Sequence, residues 1–321
     1  MTEEKTITKT WITGFWRRIG AFVIDSIVLG IVGYVLGLFF STWFVEIGVW
    51  GRLIGFTIAL LYFGTLNSNI FNGQTLGKKL LKIKVVNSDN ETIGILKSFA
   101  RYSIIGIPFF LNGAKFSDEV LFSPFMYLLS FLIFGGMFGI IYLYVFNRNT
   151  RQSLHDVILG TYVVNIDTSN EDIQPMWKPH LVVVGILFII SGLIPVYTSN
   201  LAQEGSFQEL LTAKTQVLKN NSIANIGIMY GSTSTYSSTS GTKETTYIQG
   251  QVFLKKNELL NEILALETAK IIAQSYTETM QKDIVYIIFI YGYDIGIAAQ
   301  WNFQSYQFKP SELVESVETK I

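Results

Sequence analysis

Long apolar runs alternate with short polar ones over the first 198 residues, and then the pattern changes. A helix that crosses a bilayer needs about 20 mostly apolar residues. Residues 19–44 meet this with one acid inside, Asp25, and residues 48–66 meet it with Arg52 near their start. Residues 121–146 carry no charge, and residues 181–198 are short but uncharged. A fifth run, 102–114, reaches spanning length if it begins near Leu96, with Lys97 and Arg101 snorkelling to the interface. Bases then set the orientation. Lys5, Lys9, Arg17 and Arg18 precede the first run, so the N-terminus is expected in the cytoplasm. Residues 41–47 hold Glu46 and no base, so they face out. The connection with Lys78, Lys79, Lys82, Lys84, Lys97 and Arg101 faces in, as does the one with Arg148 and Arg151. An even number of crossings must separate two inward connections. The pattern therefore predicts an α-helical membrane bundle of about five transmembrane helices, with residues 199–321 outside.

Residues 199–321 read as a small α+β domain. Phe207, Leu210, Leu211, Val217 and Leu218 give helical spacing over 200–221. Residues 223–230 and 247–254 read as strands, and the Ser/Thr/Gly-rich stretch 231–245 between them as a flexible loop. Residues 257–280 form an amphipathic helix with Asn257 as its N-cap. Residues 284–301 are long enough for a sixth span. They are β-branched and aromatic, however, and Gly292, Asp294 and Gly296 interrupt them, so a strand is expected, followed by another at 301–308. The order is α-β-β-α-β-β. The divisions are 1–166, a transmembrane domain with a short cytoplasmic β pair; 167–198, a linker and last transmembrane helix; and 199–321, the extracytoplasmic domain.

Composition supports this reading. Hydrophobic residues are 49% and charged residues 15%, with a mean hydropathy of +0.37, against about 25% charged in soluble domains. The 24 basic and 24 acidic residues cancel, which argues against a nucleic-acid partner. No cysteine is present, which excludes disulfides, thiol catalysis and thiolate metal sites. With two histidines, His155 and His180, no metal site or cofactor is expected. The first apolar run is too long for a cleaved signal peptide, contains Asp25 and lacks a small-x-small site.

Asp25 is the most informative residue. An acid near the middle of a span costs about 2.5–3.5 kcal/mol on insertion scales, so it should face protein or water and have a partner. Arg18 lies seven residues earlier on the same helix face, about 10 Å away along the axis. Asp156, in the segment 147–166, is expected to complete a link between them. Gly160 would end a short helix there, and 161–164 would pair as a strand with Ile83–Val86. Gly-Gln-Thr-Leu-Gly-Lys-Lys at 73–79 fails as a phosphate loop, because three residues separate the glycines and no Ser/Thr follows the lysine. It reads as a turn into a basic interfacial helix, with Lys78, Lys79, Lys82 and Lys84 over anionic headgroups. His155 and Asp156 are adjacent and on a helix point about 100° apart, so no catalytic relay is expected. Ser26, Gly30, Gly33 and Gly37, and Gly135 with Gly139, suit close helix packing, with a pore lining as the alternative.

These pieces together resemble the RDD family of bacterial membrane proteins, named for one arginine and two aspartates. The matching segments are Phe-Trp-Arg-Arg-Ile-Gly-Ala-Phe-Val-Ile-Asp at 15–25, Gly-Gln-Thr-Leu-Gly-Lys at 73–78, Ile-Lys-Val-Val at 83–86 and Leu-His-Asp-Val-Ile-Leu-Gly-Thr at 154–161. Arg18 matches the arginine, Asp25 and Asp156 the aspartates, and Thr75, Gly77, Lys78, Arg101, Gly160 and Thr161 the supporting pattern. The resemblance covers about residues 11–166. It implies a bacterial cytoplasmic (inner) membrane location and a three-residue cluster. Some family members look like cation/proton antiporters.

Two functions follow as expectations. In the first, Arg18, Asp25 and Asp156 form a buried ion cluster that fixes helix register, and residues 199–321 bind an envelope protein. In the second, the chain is a cation/proton antiporter using Asp25 and Asp156. No enzyme activity is expected. The expected partners are the lipid bilayer, the envelope protein and a second copy in a homo-oligomer.

Overall fold

Apolar residues recur around the whole circumference of the first helix, and its surface shows where they go. The computed structural model describes residues 10–314 except 115, 117, 167, 169–173, 202 and 238–240. Helix α1 (Phe15–Ile47) buries Arg18, Ala21, Asp25 and Leu29 along one stripe. Val23, Ile27, Ile31, Val35 and Phe39, four residues apart, are all exposed. A helix with an exposed apolar face this long needs an apolar solvent. Helix geometry breaks at Phe40 (φ −124°, ψ 15°). Three helical stretches are long and apolar enough to cross a membrane: Phe15–Leu66, which includes α1 and α2 (Gly51–Leu66), then Phe125–Phe146, and Pro179–Asn200 within α9 (Pro179–Leu201).

The chain divides into two compact units. One holds residues 1–40, 49–197 and 294–299, and the other 41–48, 198–293 and 300–321. In the first unit α2 is followed by the one-turn-and-a-bit α3 (Leu76–Leu80), strand β1 (Ile83–Val86) and α4 (Ile95–Leu111). After α5 (Asp118–Leu121) come α6 (Phe125–Ser130) and α7 (Gly136–Phe146), joined by a π-helical turn, Phe131–Gly135. The uncharged run read as starting at residue 121 thus becomes a continuous helix only at Phe125, after Pro124. Short α8 (Leu154–Leu159) leads into β2 (Tyr162–Asn165). The strands β1 and β2 pair antiparallel, Ile83 opposite Asn165 and Val86 opposite Tyr162, one residue later than expected for the second strand. Ile12 bridges to Val164, and Trp11, Val86 and Val164 pack as a small core.

The second unit contains α10 (Gly205–Val217), β3 (Ile223–Ser237), β4 (Gly241–Leu254), α11 (Glu262–Ser275), β5 (Ile284–Asp294), β6 (Ala299–Phe308) and α12 (Pro310–Val314). The expected α-β-β-α-β-β order is present, with α12 added. The sheet order is β3-β4-β5-β6, with β3 and β4 antiparallel and β4 and β5 parallel across the α11 crossover. Val217, Ile248, Val252, Ala269, Ile272, Tyr276, Val285, Ile287 and Phe289 form the core between helices and sheet.

Two readings of this unit are corrected. Residues 231–237 and 241–245 are not a loop: β3 and β4 stay paired from Gly231–Tyr247 out to Ser237–Gly241, while 238–240 lie outside the described residues. Their Ser and Thr residues are hydrophilic, but β-branched Thr suits a pleated ribbon. Asn257 does not cap α11. Asn261 does, accepting the Leu264 N–H at 3.0 Å, because 255–261 form a turn before the helix starts. Residues 284–294 are a strand, as expected, and not a sixth span.

Candidate functional site

The site is built in the first unit, where α1, α2, α3, α4 and α8 place charged groups out of contact with solvent. Ser153 begins α8 as its N-cap in a reciprocal capping box with Asp156. Gly160, at φ +56°, closes it, a conformation that a side chain would strain. A single helical turn held at both ends fixes Asp156, which has no exposed surface.

Asp156 gathers most of the nearby donors. Arg101 gives Oδ1 two hydrogen bonds, Nε at 3.0 Å and Nη2 at 2.7 Å. Thr161 Oγ1 donates to the same oxygen at 2.8 Å and receives Arg101 Nε at 3.3 Å. Arg18 Nη2 donates to Oδ2 at 2.8 Å, and its Nη1 donates to the Arg151 carbonyl. The Arg18 guanidinium also sits 5.0 Å from the centre of the Tyr144 ring. His155 Nε2 lies 3.3 Å from Oδ2. Adjacent helical residues do diverge at Cβ, yet the buried imidazole turns back to its neighbour, so the expected separation of this pair is corrected. A carboxylate only accepts, so Nε2 carries the proton and Nδ1 does not. Nδ1 has no hydrogen-bond partner among the described residues.

Electrostatics follow from this crowding. Burial pushes the Asp156 carboxyl up, but Arg101, His155 and Arg18 outweigh it and hold the group well below the usual carboxylate range. Burial lowers His155 to about 4, with Asp156 opposing and Arg101 and Arg18 assisting, so the imidazole is neutral at pH 7.

Asp25 belongs to a second, separate centre. Its Oδ1 accepts from Tyr62 Oη at 2.7 Å and from the Gly77 N–H at 2.8 Å, and its Oδ2 accepts from Thr75 Oγ1 at 2.5 Å. Thr75 is also the N-cap of α3, accepting from the Lys78 N–H. A Cβ at Gly77 would collide with the Ala21 carbonyl, so the absence of a side chain lets the backbone N–H reach Asp25. Among the described residues Asp25 makes no ion pair. Of the expected three-residue cluster, Arg18 and Asp156 meet directly, while Asp25 is bonded to other donors. Arg18 and Asp25 do share a buried stripe, but the Arg18 side chain is committed to Asp156 and the Arg151 carbonyl, and seven residues of helix keep the two heads apart.

Lys78 is half-buried, unlike the exposed Lys79 and Lys82 of the same basic run. Its Nζ is 3.4 Å from Thr75 Oγ1 and 5.9 Å from the Phe63 ring centre. Burial first, then the Arg101 charge, lowers it to about 7, against the pull of Asp25. Among the described residues no group of three or more His, Cys, Asp or Glu is placed to hold a metal ion.

Apart from Thr161, the residues of both centres fall inside a segment that the model of the RDD family matches, residues 12–160. Residues 12–160 form an RDD domain. The uncharacterized protein YxaI of Bacillus subtilis (strain 168) is 28% identical over 172 residues, covering 47% of this chain and 95% of that protein. The uncharacterized protein YckC of the same organism is 23% identical over 161 residues, covering 50% of this chain and 89% of that protein. No solved structure matches. The region after the RDD domain is assigned to no family.

In the RDD domain the sequence places one partner wrongly, although Arg101 matches the family's supporting pattern, and leaves another, Tyr62, unmarked. Arg101 was placed at the lipid interface, yet it is 5% exposed and binds Asp156 through two nitrogens. Tyr62 passed as one more apolar residue of its span. Its phenol is the signal that was available, since a buried Tyr hydroxyl needs a partner.

Proposed function

We propose that this protein is a multi-pass protein of the bacterial cytoplasmic membrane whose Arg/Asp centres are structural locks, and that residues 199–321 serve as an external binding domain. The proposed five crossings are α1, α2, α4, the Phe125–Phe146 helix and α9. α4 has 17 residues, about 26 Å of rise, close to the apolar thickness of a bilayer. The N-terminus is then cytoplasmic and residues 199–321 are outside, in line with the distribution of bases.

One observation carries the structural reading: every oxygen of both buried carboxylates accepts hydrogen bonds from other parts of the domain. Asp156 accepts from two arginines, a threonine and a histidine, and Asp25 accepts from three neutral donors. Asp156 has no lone pair left for a cation, and Asp25 keeps one, on Oδ2, too few to replace a cation's hydration shell. Locks of this kind are costly to break from one side.

The test is proton movement in proteoliposomes carrying the native chain or Asp25→Asn, read with a pH-sensitive dye under Na+, K+ or Li+ gradients. The expected result is no cation-driven movement in either, with a lower Tm for Asp25→Asn. Movement in the native protein that Asp25→Asn abolishes while the fold is retained would establish an antiporter instead.

A further inference from the structure

We infer that the RDD domain carries a headgroup site for an anionic phospholipid, formed where α1 begins and α7 ends. The lining residues are Gly14, Phe15, Trp16 and Arg17 from the start of α1, Val145 from the last turn of α7, and Arg148 and Arg151 from the connection to α8. They line an open surface cleft of about 540 Å³. Among the described residues three arginines line it and no acid does.

Among the described residues no acid compensates the charge there. Arg17 is held by neutral acceptors, Asn165 Oδ1 at 2.6 Å and the Leu81 carbonyl. These bonds position its guanidinium without neutralising it. Among the described residues none of Arg17, Arg148 and Arg151 makes an ion pair. The first N–H groups of α1 lack intrahelical acceptors, and the N-terminus of this 33-residue helix adds partial positive charge. The chemistry recognised is a phosphate ester.

The apolar part of the lining selects the lipid form of that ester. Two of the stretches apolar enough to cross a membrane stop at this cleft, one beginning at Phe15 and one ending at Phe146. Trp16 is 79% exposed and Val145 44%. An exposed indole beside arginines at the end of an apolar helix is the composition of the bilayer interface. Basic pockets between spans there suit anionic headgroups. This inference rests on the membrane reading above and not on the structural role of Asp25 and Asp156.

The test is calorimetric titration of the full-length protein in neutral detergent with dioctanoyl-phosphatidylglycerol, dioctanoyl-phosphatidylcholine and glycerol phosphate. The variants are Arg148→Gln, the double variant Arg148→Gln/Arg151→Gln, and the charge-matched control Lys219→Gln/Lys243→Gln. A base near an anionic lipid surface is worth roughly fivefold in affinity. Phosphatidylglycerol should therefore bind the native protein, weaken about fivefold in the single variant and about 25-fold in the double variant, and be unchanged in the control. Arg148 is exposed, so the single variant reads the effect even if the double variant folds poorly. Equal affinity for the two lipids, or no loss in either variant, would overturn the site. Glycerol phosphate binding as tightly as the lipid would overturn the lipid assignment in favour of a soluble phosphate ester. Flotation of the protein with vesicles tests the membrane reading separately.

Discussion

Arg101 on α4 and Asp156 on α8 meet through two hydrogen bonds converging on one carboxylate oxygen, at 3.0 and 2.7 Å. This joins two elements 55 residues apart in sequence, both side chains being buried. Removing the guanidinium leaves a buried carboxylate with Arg18 as its one remaining full charge. Arg101→Gln should destabilise by about 3–5 kcal/mol. Arg101→Lys should recover only part of this, because an ammonium cannot reproduce the planar fork. Thermal unfolding in detergent measures both. A double-mutant cycle with Asp156→Asn should show coupling, and strict additivity would refute the pairing.

His155 sets a pH dependence of stability. Its folded pKa of about 4 lies below the 6.5 of the unfolded chain. Between these values the unfolded state binds the extra proton, so stability rises with pH through that window and levels off above it. The full span corresponds to roughly 3 kcal/mol. Asp156 adds a second loss lower down. Its folded pKa is depressed, so its contribution is intact above the unfolded value of 3.8 and disappears as pH falls below it. Denaturation curves from pH 8 to pH 4 should show the first slope in the native protein and lose it in His155→Asn. An unchanged slope in that variant would sink the assignment.

Gly77 and Gly185 should respond in opposite ways to alanine. A Cβ at Gly77 meets the Ala21 backbone, while one at Gly185 has nothing within 4 Å. Gly77→Ala must push α3 off α1 and break the N–H bond to Asp25, at a cost of about 2 kcal/mol or more. Gly185→Ala should change the unfolding midpoint little, or raise it by up to about 1 kcal/mol of helix propensity.

In the second unit, Asn261→Ala should cost about 1 kcal/mol, as loss of an N-cap does, and Asn257→Ala should be neutral. Chemical denaturation followed by circular dichroism separates the two. Equal effects would mean that α11 starts earlier than Glu262.

What the sequence revealed depended on periodicity and on rare residues. Three long apolar helical stretches, the β1–β2 pair and the α-β-β-α-β-β order follow from patterns of local spacing and are present. A lone acid in an apolar run marked Asp25 as a special position. Its partners are harder to see, because Tyr62, Thr75 and the Gly77 N–H are neutral and come from two places in the chain, of which only 75–77 falls in a family motif. Arg101 was misjudged since an arginine at the end of an apolar run has the same local signature whether it snorkels or turns inward. The 231–245 stretch shows the reverse failure. Its composition is that of a loop, and only the pairing of β3 with β4, a relation between two segments, makes 231–237 and 241–245 a ribbon.

The order in which the partners occur along the chain has a consequence for synthesis. Arg18 and Arg101 leave the ribosome well before Asp156, which arrives only after the Phe125–Phe146 helix. Until then both guanidiniums lack the carboxylate that holds them, and β1 lacks β2. The first helices therefore enter the bilayer as an unlocked set, and the short α8 acts as a latch that closes the bundle once the chain through residue 165 has emerged. A nascent chain arrested before that point should be readily extracted and degraded, and one arrested beyond it should not.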